Sequence, residues 1–212
     1  TNLEIRTIAI DAISWFEAQG IFEVIIACNT ISAQVLPEIR RLFPNMVLTG
    51  IIELTADQPQ VRRAQRVTVM ATTGTTRTNA YPLIIAALNH KAVVQGIALP
   101  RLVPLIEGLS PIDDIQAYLK PLIEPVEADL LVLACTHYPL VKSQLTQYFK
   151  GDIVDSIAPM VDFLKARDLP RGESKVFTTY NPSYLRHQIE VLFQTTVEVH
   201  LTTVMHADRL SE

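Results

Sequence analysis

Apolar runs of strand length alternate with segments of helical period from one end of the chain to the other. That alternation is the signature of parallel strands joined by crossover helices. Leu3, Ile8, Ala12, Ile13 and Phe16 fall near one helical stripe, and Gly20 ends that helix before a strand over 22–27. The pattern then predicts a helix over 32–43, strands over 46–51 and 67–71, a helix over 77–89, a strand over 92–98 and a helix over 112–123. The clearest strand is 130–134, a run without a polar residue. A helix over 140–149, a strand at 153–154, a helix over 160–166, a strand over 176–179, a helix over 182–192 and a last strand over 197–201 complete the series. The fold class is α/β. No low-complexity linker divides the chain, and the Pro-containing stretch 53–60 reads as a crossover between two sheets.

Composition narrows the function classes. With 49% hydrophobic and 19% charged residues in 212, a soluble globular protein of one large or two small domains is expected. The longest apolar runs, 83–88 and 130–135, fall far short of the about 20 residues a membrane span needs, so no membrane partner is expected. Eighteen basic against 22 acidic residues, a net charge of −4, offer no broad basic field for direct nucleic-acid binding. From Thr1 the text is already helical rather than a basic segment followed by an apolar signal core. Only 2 cysteines in a chain of this length is the usage of a reducing compartment, so both are read as thiols and the location as cytoplasmic. Neither a G-x-G-x-x-G nor a P-loop spacing occurs.

The informative signal is a repeat. Val24-Ile25-Ile26-Ala27-Cys28-Asn29-Thr30 and Leu131-Val132-Leu133-Ala134-Cys135-Thr136-His137 are both buried-strand text ending in Ala-Cys and two polar residues. Ligands of open α/β sheets bind beyond the carboxyl ends of strands, which is where both thiols stand. A thiol between a strand end and a helix start meets oriented backbone N–H groups that favour the thiolate. Asn29, Thr30, Thr136 and His137 could donate to a carboxylate or a developing enolate. A strand-end cysteine can also be small apolar filler, but two copies of one pattern favour duplication with function. A Cys-x5-Arg phosphatase loop would need Arg where Gln34 and Val141 stand. A zinc site from Cys28, Cys135 and His137 has suitable ligand types but lacks a C-x2-C pair and a fourth ligand, and no metal is assigned. A cysteine hydrolase would leave the second thiol idle. Two thiols flanking one carbon suit two-base racemisation: one thiolate takes a proton from a carbon acid while the other, as thiol, returns one to the opposite face.

With these residues the sequence resembles the glutamate racemases of the cofactor-independent aspartate/glutamate racemase family. Ile26-Ala27-Cys28-Asn29-Thr30-Ile31-Ser32-Ala33 resembles the family's first cysteine motif, with Ile31 where Ala is usual. Leu133-Ala134-Cys135-Thr136-His137-Tyr138-Pro139-Leu140 resembles the second, with Ala134 where Gly is usual. Between them, Ala71-Thr72-Thr73-Gly74-Thr75-Thr76 through Tyr81 is similar to the threonine-rich substrate loop, and Val103-Pro104-Leu105-Ile106-Glu107 to the Val-Pro-Leu-Val-Glu segment. Asp155-Ser156 and Phe177-Thr178-Thr179 match weaker downstream signatures. His137 separates the pattern from aspartate racemases, which generally carry an acidic residue there.

The resemblance implies two pseudo-symmetric α/β domains with the site in the cleft between them: 1–52 together with 157–212, and 53–156. It implies no cofactor and glutamate as the small-molecule partner, with D-glutamate supplied to peptidoglycan synthesis; a homodimer is an assembly open to it. Cys28 and Cys135 would be the catalytic acid/base pair, each serving one enantiomer. His137 would assist Cys135 and be held by Glu107. Asn29, Thr30, Thr72, Thr75 and Thr136, with His137, would bind the substrate's carboxylates and ammonium. On the residues alone, Asn29 and Thr30 could be helix caps and 72–76 a polar turn satisfying its own backbone. The family's opening Asp-Ser-Gly-x-Gly-Gly and Tyr-Gly segments have no counterpart in this sequence, so roughly one βαβ unit of about 30 residues is expected to be missing from the first domain. Two other readings stay open: racemisation of aspartate or another acidic amino acid, and an inactive or moonlighting binder, for which gyrase inhibition is the family's precedent.

Overall fold

The computed structural model describes residues 2–167, 169 and 172–204. The chain opens with α1 (Asn2–Ala18), β1 (Glu23–Ile26), α2 (Asn29–Gln34), α3 (Leu36–Leu42) and β2 (Val47–Gly50). The middle runs α4 (Ile51–Ala56), α5 (Pro59–Arg63), β3 (Arg66–Ala71), α6 (Thr73–Thr76), α7 (Ala80–Leu88), β4 (Val93–Ala98), α8 (Leu102–Glu107), α9 (Ile112–Ile123) and β5 (Leu130–Ala134). A 3₁₀ turn over Tyr138–Val141 leads into α10 (Lys142–Tyr148), then β6 (Asp152–Val154), α11 (Ile157–Lys165), β7 (Val176–Thr178), α12 (Pro182–Phe193) and β8 (Val199–Leu201).

Among the described residues the strands form three sheets: β1-β2, β4-β3-β5-β6 and β7-β8. Every pairing is parallel. The central sheet is covered on both faces, which explains why β5 is an uninterrupted apolar run with every residue buried. Val67, Val69, Ala71, Leu130, Val132 and Ala134 point to one core, shared with Ile51 and Ile52 of α4 and Tyr81 and Ile85 of α7. Met70, Leu131, Leu133 and Cys135 point to the other, against Leu102, Ile106, Leu119 and Leu145. Alternation along the strand therefore assigns Cys135 to the face covered by α8, α9 and α10. A third core holds Ile10 and Ile13 of α1, Val24 and Ile26 of β1, and Leu36 and Ile39 of α3. The Trp15 and Phe177 rings, 5.3 Å apart, tie α1 to β7.

Four departures from the sequence pattern have local causes. The helix expected over 32–43 is two helices broken at Val35, whose φ is −128°; in one continuous helix the Pro37 ring would strike the carbonyl four residues earlier. The helix expected over 77–89 starts only at Ala80, because Asn79 takes a left-handed φ of 56° that separates it from α6. The stretch 53–60 is not an open crossover: it carries most of α4 and the start of α5, too short for helical period to register. Helix α8, which the apolar pattern does not predict, is hidden by the same shortness.

Candidate active site

Parallel register brings the strand ends into line. Ala71 pairs with both Ala98 and Ala134, so the next residues, Thr72 after β3 and Cys135 after β5, leave the sheet side by side. Cys28 comes after β1 and is the N-cap residue of α2, its side chain making no capping bond. Asn29 and Thr30 are thus the first residues of α2 rather than its caps. The true side-chain cap is Thr72, whose hydroxyl accepts from the Thr75 N–H at 3.3 Å at the start of α6.

Helices α2 and α6 meet through hydroxyls. Thr30 Oγ1 shares hydrogen bonds with Thr72 Oγ1 at 2.9 Å and Thr75 Oγ1 at 3.1 Å, and the last two lie 3.2 Å apart. Local backbone satisfaction occurs too, Thr76 Oγ1 donating to the Thr72 carbonyl at 3.0 Å, so the loop is at once a polar turn and a cluster of hydroxyls. Asn29 is 3% exposed. Its Oδ1 accepts from the Tyr81 hydroxyl at 2.7 Å, and its Nδ2 is buried without a partner among the described residues. Gln34 Nε2 donates to the Gly74 carbonyl at 3.0 Å, pinning α6 to α2.

The two thiols differ. Cys28 is exposed and Cys135 is buried, at 6% exposure. Burial pushes the Cys135 thiol up to about 11, the backbone amides of His137 and Tyr138 pulling against it and the charges of Cys28 and Glu107 adding to it. This corrects the expectation that position alone favours the thiolate there. The segment after Cys135 is a four-residue 3₁₀ turn capped by His137, not an α-helix, and its amides recover only part of the desolvation cost.

His137 bridges outward from Cys135. Its Nδ1 lies 3.9 Å from Cys135 Sγ and its Nε2 2.8 Å from Glu107 Oε1. Glu107 is the last residue of α8. Thr136 stands apart from the hydroxyl cluster: it lines, with Glu107, His137, Leu185 and Phe193, a cavity of about 230 Å³ beside α12. The structure thus gathers Asn29, Thr30, Thr72 and Thr75 into one group and Cys135, His137 and Glu107 into another. Sequence reasoning missed Tyr81 as a partner of Asn29, although it closes the threonine-rich stretch. It also missed Gln34, which carries no local signal. Among the described residues no group of three or more His, Cys, Asp or Glu side chains could hold a metal ion, and no helix is long and apolar enough to cross a membrane.

The arrangement is that of a parallel α/β protein with two strand-end thiols and, nearby, a set of hydroxyl and amide groups. The chain belongs to the Asp/Glu/Hydantoin racemase family, whose profile matches residues 6–164. It is 35% identical over 167 residues to a glutamate racemase of Gloeobacter violaceus, covering 76% of this chain and 60% of that one. To a glutamate racemase of Latilactobacillus sakei it is 31% identical over 186 residues, covering 86% and 68%. The chain spans 60% of the length of the Gloeobacter relative and 49% of one from Trichormus variabilis. The fold matches that of a glutamate racemase from Francisella tularensis in complex with D-glutamate, at TM-score 0.84 and 24% identity over 97% of this chain and 81% of that one. A glutamate racemase isoform from Bacillus anthracis matches at 0.83 and 21%, over 96% and 82%.

Proposed function

We propose that this chain carries the chemistry of glutamate racemisation, interconverting L- and D-glutamate with two cysteines as the bases. The observation that supports it most is the pair of strand-end thiols, one exposed and one buried. Both stand just beyond the ends of parallel strands, and Cys28 is followed directly by Asn29, whose Nδ2 has no partner among the described residues. In this reading the thiolate of one cysteine removes the Cα proton while the thiol of the other returns a proton to the opposite face, and their states are exchanged for the reverse reaction. Raising the Cys135 thiol keeps it protonated near neutrality, the state needed when Cys28 is the base. When Cys135 is the base, His137 on the Glu107 carboxylate accepts or supports its proton.

The Cα–H bond is a very weak acid, so thiolate basicity alone cannot supply the rate. Donors aimed at the α-carboxylate must hold the negative charge that develops as the proton leaves. Asn29 Nδ2, buried without a partner among the described residues, and the Thr30, Thr72 and Thr75 hydroxyls, clustered across α2 and α6, fit that task. Thr136 takes the opposite side with His137. The bulk of the reading rests on relatives that bear the name glutamate racemase, and with it go a role in peptidoglycan synthesis and a cytoplasmic location suited to two free thiols. We also read the chain as two lobes, 1–52 with 157–212 and 53–156, meeting at this site.

The test is deuterium entry at Cα of L-glutamate in D2O, monitored by NMR with the purified chain. Exchange with formation of D-glutamate is expected, together with its loss in Cys28→Ser and Cys135→Ser. No exchange by the unaltered chain, or unchanged rates in both variants, would overturn the proposal. Running aspartate in parallel separates the two acidic substrates.

A further inference from the structure

Helix α8 ends in a defined way that leaves one carbonyl free. The Leu109 N–H donates to the Ile106 carbonyl at 3.0 Å and the Ser110 N–H to the Leu105 carbonyl at 3.0 Å, while Leu109 takes a left-handed φ of 52°. This is the Schellman arrangement, reached here without glycine at the left-handed position. It satisfies the carbonyls of 105 and 106 but not that of Glu107, the last helical residue. That carbonyl is taken from far along the chain: the Tyr184 hydroxyl donates to it at 3.0 Å and Gln188 Nε2 at 2.7 Å. A carbonyl oxygen has two lone pairs, and α12 fills both with side chains one helical turn apart on one face.

From this we infer that Tyr184 and Gln188 are positioning residues: they anchor the Glu107 backbone to α12, fixing its carboxylate on His137 Nε2 and so His137 beside Cys135. Glu107 needs such an anchor. Its side chain is half exposed, at 51%, and the ion pair alone would not hold a long flexible carboxylate in one rotamer. With the backbone clamped at the root of the side chain, fewer torsions are left to order, and the Glu107–His137 bond at 2.8 Å is kept against water. The device joins α12 to the buried thiol of Cys135 through Glu107 and His137. Among the described residues its bonds run to Cys135 through His137. The inference rests on the racemase reading for its catalytic consequence, but its structural core does not.

Two measurements on the full chain test it, using Gln188→Met with Tyr184→Phe, near-isosteric changes that remove both donors. The first is the solvent exchange of the His137 Nε2 proton, monitored by 15N-labelled NMR. Slow exchange in the unaltered chain and at least tenfold faster exchange in the double variant are expected, since a freed carboxylate leaves the N–H to water. Equal exchange in both would overturn the inference, whether or not the chain turns over glutamate. The second is steady-state racemisation. Misplacement of a reacting group costs rate rather than binding, so kcat falls by about tenfold while KM stays within about threefold. Gln188→Lys, which retains a donor at comparable reach, restores most of kcat. A variant that exchanges faster yet keeps full kcat would remove Glu107 from the reaction and refute the positioning role. Absence of turnover in the unaltered chain strikes the racemase reading, leaving the exchange measurement to decide this one.

Discussion

Tyr81→Phe removes a single oxygen atom from the centre of the molecule. Tyr81 is 1% exposed and Asn29 3%, so water cannot take the place of the lost hydroxyl against Asn29 Oδ1. Asn29 Nδ2 is already without a partner among the described residues, and after the change both polar atoms of the amide lie buried and unsatisfied. Leaving one buried acceptor unpaired costs about 1–3 kcal/mol; with no solvent access the upper half of that range applies, about 2 kcal/mol. Burial also pushes the Tyr81 hydroxyl upward from its ordinary titration range, so it is a neutral donor at any working pH. Thr55, whose hydroxyl also bears on Tyr81, keeps its own bond to the Ile51 carbonyl at 2.8 Å and is not orphaned. In urea unfolding, at a slope of about 2 kcal/mol per molar, the midpoint should fall by about 1 M with the slope unchanged. Adding Asn29→Leu should recover part of the loss, because removing both partners spares the desolvation cost, giving a coupling of at least about 0.5 kcal/mol. A midpoint shift under about 0.25 M would refute the claim that the pair is sealed from water.

The folded Cys135 thiol titrates near 11 against an ordinary 9.0. Its contribution to stability is therefore complete below pH 9 and lost as pH rises towards 11, because the unfolded chain ionises first. At about 1.36 kcal/mol per pH unit the loss is at most about 2–3 kcal/mol, and the difference in urea midpoints between the unaltered chain and Cys135→Ala isolates it; a difference independent of pH would refute the shift. Alkylation by iodoacetamide at neutral pH should modify exposed Cys28 and spare buried Cys135, as read by mass spectrometry of the peptides, and reversal of that order would refute the placement of the two thiols. Gly151→Ala would drive a methyl into the Asp129 carbonyl and to 2.7 Å from the Phe149 ring, overpacking that costs about 1–3 kcal/mol in thermal or urea unfolding.

Much of the architecture was legible because periodicity reports burial directly. The strand over Leu130–Ala134 and the helix over Ile112–Ile123 match the sequence pattern at both ends: one is a fully buried run, the other carries an apolar stripe from Ile115 through Leu119 to Ile123. Short helices such as α4, α5 and α8 were not legible, since a turn and a half cannot display a period of about 3.6 residues. The breaks at Val35 and Asn79 depended on a proline clash and on a left-handed residue, which local text signals weakly.

For the site, the chain's own order of residues determined which groups stand at the strand ends: Cys28, Asn29 and Thr30 after one, Thr72 after another, Cys135 and His137 after a third. Motif text was enough for that, because strand ends and polar residues are local properties. Only the tertiary structure decided how the groups differ and whom they touch. Strand register turned Cys135 into the covered core and raised its thiol, while Cys28 stayed exposed. Packing of α2 on α6 joined Thr30 to Thr72 and Thr75, and packing of α7 brought Tyr81 to Asn29. The return of α12 placed Tyr184 and Gln188 on Glu107 from positions far along the chain. Such contacts arise from the shapes of two surfaces meeting, and no window of neighbouring residues contains them.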